Sequence, residues 1–336
     1  MEMKRKERID RGIKVRTEGI YAISSWEEVF YLAGPRLVLI LGLLSLPLVL
    51  QVAPYWKRVV NMTCIYALLA LSFDFLANYV GLVCLGGAFF IGVGGYLSAI
   101  FNVYLGLPIF LSIPLATLLG SLLCTFLILP GLPLRGVYFA IVTLMYPLLV
   151  TRIIEAFNIL GGTNGIAGVQ SFPNPYVEQY LVILITLIAL FGMRRLVNQD
   201  IGLVLRGVKD NDQSVRASGM NVTSLKAFAV FIASLVGCFG GAYLAHLYMW
   251  AGISLFALDF SIIPIAAVVI GGGGTLTGAV IGSLILVPLS EFLRFFGTFR
   301  IVIYCMILTA FIVLKSEGLM VYFQRKYHQR ERWVKL

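Results

Sequence analysis

Apolar runs long enough to cross a bilayer recur about ten times along this chain, and that recurrence limits what it can become. A run of this kind, wound as an α-helix, satisfies its own backbone hydrogen bonds inside hydrocarbon. The runs cover 37–53, 59–79, 81–101, 108–129, 137–157, 179–193, 227–250, 258–271, 276–293 and 300–314. Composition agrees: of 336 residues 60% are hydrophobic and only 12% charged, too few to cover a soluble globule of this size. The expected fold is therefore all-α, a polytopic membrane-spanning helical bundle. The eighth run ends in Gly271-Gly272-Gly273-Gly274, which fits either a full crossing or a re-entrant half-helix. The first run follows a long basic leader with no small-residue cleavage site, and reads as a retained span.

The net charge of +10 is placed unevenly. With the N-terminus in the cytoplasm and the runs alternating, 21 of the 26 Lys and Arg residues fall on cytoplasmic segments. The positive-inside rule then sets both termini inside. The chain divides into a basic leader, 1–36, a transmembrane domain, 37–315, and a basic tail, 316–336, with a cytoplasmic loop at 194–226. The excess charge lies on the inner face, so it reports topology and contact with anionic lipid, not nucleic acid. In the leader, Ile23, Trp26, Phe30 and Ala33 fall at helical spacing, as in an interfacial helix, although a plain topology-setting leader fits too.

Catalytic signatures are lacking. There is no Gly-Lys dipeptide for a P-loop, no HExxH and no GxSxG. Five cysteines without a CxxC pair and two distant histidines support neither a metal site nor a disulfide framework. No cofactor is called for. Glycine instead recurs at packing distance: Gly237, Gly241 and Ala245 are four apart, as are Gly274, Gly278 and Gly282. Such spacing lets helix backbones approach closely, and it also occurs at broken helices beside a transport path. Asp74 lies deep in the second run, with Asn78 one turn on along the same face. A carboxylate there costs about 2.5–3.5 kcal/mol on insertion scales, so the pair either lines a polar path or bonds helices together. Thr163 and Asn164 sit in the glycine-rich outer loop Leu160–Gly168, which could meet a polar solute or simply turn the chain. His246 reads as a hydrogen-bonded packing residue. In the 194–226 loop an amphipathic segment ends near Gly219, a candidate helix cap, and a polar loop of this size usually docks on a partner.

Five tracts in order resemble the inner-membrane permease subunits of branched-chain amino acid ABC transporters, the LivM-like family, whose relatives include urea and amide permeases. They are Gly81–Phe90 continuing to Gly95-Tyr96, Leu134–Leu144, Gly161–Gly165, Gly207 through Thr223, and Gly272–Gly278. The resemblance covers about residues 60–315. It departs from the family's usual residues at Gly87, often His, at Val137, often Asp, and near Tyr146-Pro147-Leu148, where an acidic residue is common. It implies a non-catalytic transport subunit that works with a second homologous permease, two cytoplasmic ATPases and an extracytoplasmic solute-binding protein. It also implies that the loop carries the coupling helix, at Arg206, Gly207, Asp210, Asn211, Asp212, Ala217, Gly219 and Asn221. Asp74, Asn78, Thr163 and Asn164 are the candidates for the solute path. Branched-chain amino acids are the implied solute. Urea or amide transport, or an ATP-independent channel or secondary carrier, are the alternatives.

Overall fold

The computed structural model describes residues 6–8, 54–134, 136–296, 299, 303, 306, 309, 318–322 and 333–335. The first run (37–53), the segment around Trp26, and most of the tenth run and the tail lie outside them. Among the described residues ten α-helices follow one another: α1 (Pro54–Asp74), α2 (Gly87–Val103), α3 (Ile109–Ile128), α4 (Val137–Phe157), α5 (Pro175–Asn198), α6 (Asp200–Asp210), α7 (Asp212–Ala217), α8 (Val222–Tyr248), α9 (Asp259–Gly271) and α10 (Leu276–Phe292). α1 passes without a break into a π-helical turn, Phe75–Val80, which Gly81 closes at φ +81°. Strands are short. β1 (Lys6–Arg8) pairs antiparallel with β4 (Trp333–Lys335), and β2 (Ile166–Ala167) pairs with β3 (Trp250–Ala251).

Six helical segments among the described residues are long and apolar enough to cross a membrane, and α2 and α10 are apolar but shorter. The protein is a multi-pass helical membrane protein. The run at 81–101 is not one helix: Gly81–Gly86 lies outside any helix, and α2 starts at Gly87. Segment Ile253–Gly271, which includes α9, runs from the β2–β3 pair at one end of the bundle to the Gly272–Gly274 turn at the other. It therefore traverses the bundle.

Glycine decides what sits at the centre. A Cβ on Gly94 of α2 would strike the carbonyl of Cys238 in α8, and one on Gly241 would strike that of Ile91. A Cβ on Gly237 would lie 2.6 Å from Phe90 Cβ. α2 and α8 thus cross backbone against backbone. The α9–α10 hairpin repeats the device: a Cβ on Gly278 would stand 2.7 Å from the carbonyl oxygen of Gly271, and one on Gly282 would meet that of Ala267. α1 and α8 form the core, while α4 lies at the rim with Tyr138 and Phe157 74% and 73% exposed. Large exposed apolar side chains on α3, α4 and α5 suit a lipid-facing surface.

Candidate functional site

The loop after α5 folds as two short helices, and local chemistry explains both. Asn211 Oδ1 accepts from the N–H groups of Gln213 and Ser214 and so caps α7. Gly219, at φ +84°, ends that turn. Its N–H bonds Arg216 O at 3.0 Å, and a Cβ there would meet nothing within 4 Å. Asn221 Oδ1 caps α8 through Thr223 and Ser224. Lys226 in the second turn of α8 donates to Asp212 Oδ2 at 2.8 Å, with side-chain exposures of 8% and 10%. The loop is thus stapled to α8. α6 buries Leu205 and Val208 against the bundle and leaves Leu203 exposed. Gly207 faces Val215, whose Cγ2 would lie 3.4 Å from an added Cβ. Asp210, Asn211, Ala217, Gly219 and Asn221 form an exposed rim.

This loop touches the π-helical turn. Lys209 Nζ donates to the carbonyl of Asn78 at 2.8 Å, a group the turn leaves without an α-helical partner. The Arg206 guanidinium sits 5.3 Å from the centre of the Tyr79 ring. Tyr79 donates its hydroxyl to Gly274 O at 2.6 Å. Asp74, wholly buried, accepts at Oδ1 from Asn78 Nδ2 (2.6 Å) and from Gly274 N (2.7 Å). One connected set of contacts therefore runs from α6 through the end of α1 to the glycine turn between α9 and α10. A polar cavity of about 260 Å³ lies beside it, lined by Gly81, Gly136, Lys209, Asn211, Asp212 and Lys226 among others.

Thr163 and Asn164 lie at the opposite end. Both are exposed, in a loop whose Gly161, Gly162, Gly165 and Gly168 all have positive φ. The Asn164 carbonyl accepts from Trp250 Nε1 at 2.8 Å. The structure thus joins Asp74 to Asn78 and both to the loop helices, but does not bring them near Thr163 and Asn164. His246 is packed in a knot at this far end. One ring nitrogen lies 3.0 Å from Ser98 Oγ, the other 2.8 Å from Gln170 O. Nothing in the linear pattern marks Tyr79, Lys209 or Lys226, since their partners are 195, 131 and 14 residues away. Gly87 has no space for the family's His, because a Cβ there would sit 2.6 Å from Phe260 O. Val137, by contrast, is 72% exposed.

Six membrane-length helices and a polar loop stapled to the end of the bundle define a multi-pass membrane protein that presents an exposed loop outside its helices. Residues 55–312 match the family model described as branched-chain amino acid transport system / permease component, and the chain belongs to that family. It is 26% identical to the high-affinity branched-chain amino acid transport system permease protein LivM of Salmonella typhimurium, over 88% of this chain and 80% of that protein. It is also 26% identical to LivM of Escherichia coli, over 78% and 69% respectively. A probable LivM of Methanocaldococcus jannaschii is 29% identical over 60% of this chain and 62% of that protein. No solved structure matches the chain.

Proposed function

We propose that this chain is the permease subunit of an ATP-driven importer for branched-chain amino acids. It works with a second homologous permease, two cytoplasmic ATPases and an extracytoplasmic binding protein. The observation that carries this reading is the loop itself: α6 and α7 are anchored on one side and exposed on the other, as a docking element requires. The transmembrane domain spans 37–315 with about ten crossings, and leader, loop and tail face the cytoplasm of the plasma membrane. The loop residues Arg206, Gly207, Asp210, Asn211, Asp212, Ala217, Gly219 and Asn221 receive the push of ATPase closure. Lys209, Tyr79 and Asp74 pass it to α1 and to the α9–α10 turn, and the helices rock between outward- and inward-open states. The chain itself performs no catalysis.

Asp74 and Asn78 then stand at the cytoplasmic end of the path, and Thr163 and Asn164 at its mouth, where a binding protein delivers solute. The test is uptake of labelled leucine by vesicles holding the assembled subunits. Accumulation should require ATP and the binding protein. Equilibration without ATP would favour a channel or secondary carrier, and preference for urea or a simple amide would reassign the solute.

A further inference from the structure

At the far end of α1, Lys57 Nζ meets Glu178 Oε2 at 3.2 Å, with only 14% and 15% of the two side chains exposed. Asn61, one turn further into α1 and wholly buried, donates from Nδ2 to Glu178 Oε1 at 2.6 Å. Tyr243 of α8 donates its hydroxyl to Glu178 O at 3.1 Å. Gln179 follows Glu178 on the buried face of α5, beside Val182 and Ile183, and its exposure is 0%. Among the described residues neither Gln179 Nε2 nor Gln179 Oε1 has a hydrogen-bond partner, and neither does Asn61 Oδ1. One orphaned buried amide atom is uncommon. Three on one helix seam call for a guest that fills them.

The chemistry of that guest follows from what is already satisfied. Lys57 and Glu178 cancel each other's charge, so the seam has no net charge to offer a lone ion. What stays open is an N–H donor on Gln179 and carbonyl acceptors on Gln179 and Asn61. Their complement is a solute of zero net charge that carries N–H donors beside a carboxylate or carbonyl acceptor. Zwitterionic α-amino acids and primary amides both have this pattern. We propose that the seam between α1, α5 and α8 is a solute subsite. In it Gln179 Nε2 donates to the solute's oxygen, and Gln179 Oε1 and Asn61 Oδ1 accept from its nitrogen. The Lys57–Glu178 pair flanks the polar end, and the aliphatic face of α5 lies alongside. This rests on the importer reading and gives its solute a place. Access follows movement of α5 against α1, and the orphaned amides favour that movement.

The test measures the melting temperature of the assembled transporter with leucine, valine, glycine, acetamide and urea, in wild type and Gln179→Leu. At least one of these solutes should raise the wild-type melting temperature. Gln179→Leu should abolish that rise and cut uptake of the same solute about tenfold, the worth of one hydrogen bond to a charged group. Without solute the variant should melt no lower than wild type, because leucine removes the unpaired amide. A rise that survives in Gln179→Leu, no rise with any of the five, or a lower melting temperature without solute would overturn the subsite. The importer reading fails separately, if wild-type uptake needs no ATP. A Gln179-dependent response to acetamide or urea alone would keep the subsite and change the solute.

Discussion

The α2–α8 crossing and the α6–α7 loop both depend on glycine, for opposite reasons. At Gly94 and Gly241 the backbone is helical and the constraint is space, since a Cβ would strike a facing carbonyl. At Gly219 space is free and the constraint is conformation, at φ +84°. The first kind of glycine lets two helix backbones touch. The second turns an exposed rim. Between the two regions lie the polar ties at Asp74 and Lys226.

The largest loss belongs to Gly241→Leu, expected to cost about 3 kcal/mol or more because Ile91 and Gly95 cannot withdraw without separating two helices. Thermal unfolding in detergent checks it, and a wild-type melting temperature would mean that the crossing is not tight. Asp74→Ala strands the Gly274 N–H and the Asn78 amide, a loss of about 2–3 kcal/mol in local stability. The transporter should still assemble while uptake falls; normal uptake at normal abundance would remove Asp74 from the mechanism. Lys226→Met leaves the Asp212 carboxylate without this partner, at about 2 kcal/mol. Adding Asp212→Asn should recover most of that loss, and a double variant as unstable as the single one would show that the ion pair is not the staple. The smallest effect belongs to Gly219→Ala, about 1 kcal/mol from the left-handed backbone alone. It should show chiefly as fewer solutes moved per ATP hydrolysed, and a bulky residue there should deepen the loss. Unchanged coupling in both would detach Gly219 from the ATPase contact.

What the sequence reveals of this fold follows from which forces are local. α4 spans Val137–Phe157, the limits of its apolar run, because Gly136 and Asn158, both at positive φ, flank it. α8 starts at Val222, five residues ahead of its apolar run, since Asn221 rather than hydropathy begins it. α5 outruns its apolar stretch at both ends, from Pro175 to Asn198, because Pro favours the first helical position and Arg194 and Arg195 are good helix formers. The i,i+4 pair of Asp74 and Asn78 is local and legible, and their tie to Gly274 spans 200 residues and is not. Asn61 and Gln179 stand in apolar surroundings in the sequence, yet only the packing of α1 on α5 marks their amides as unfilled.

The π-helical turn at Phe75–Val80 has a consequence for chain length. A π turn is an α-helix that holds one residue too many. Remove that residue, and five residues turning about 100° each cover the arc that the six now cover, so the side chains on either side keep their directions. Tyr79 would still face Gly274, and the carbonyl that meets Lys209 would stay free at the helix end. The grip between loop and bundle is thus indifferent to the count: a homologue one residue shorter here can hold its loop with the same side chains.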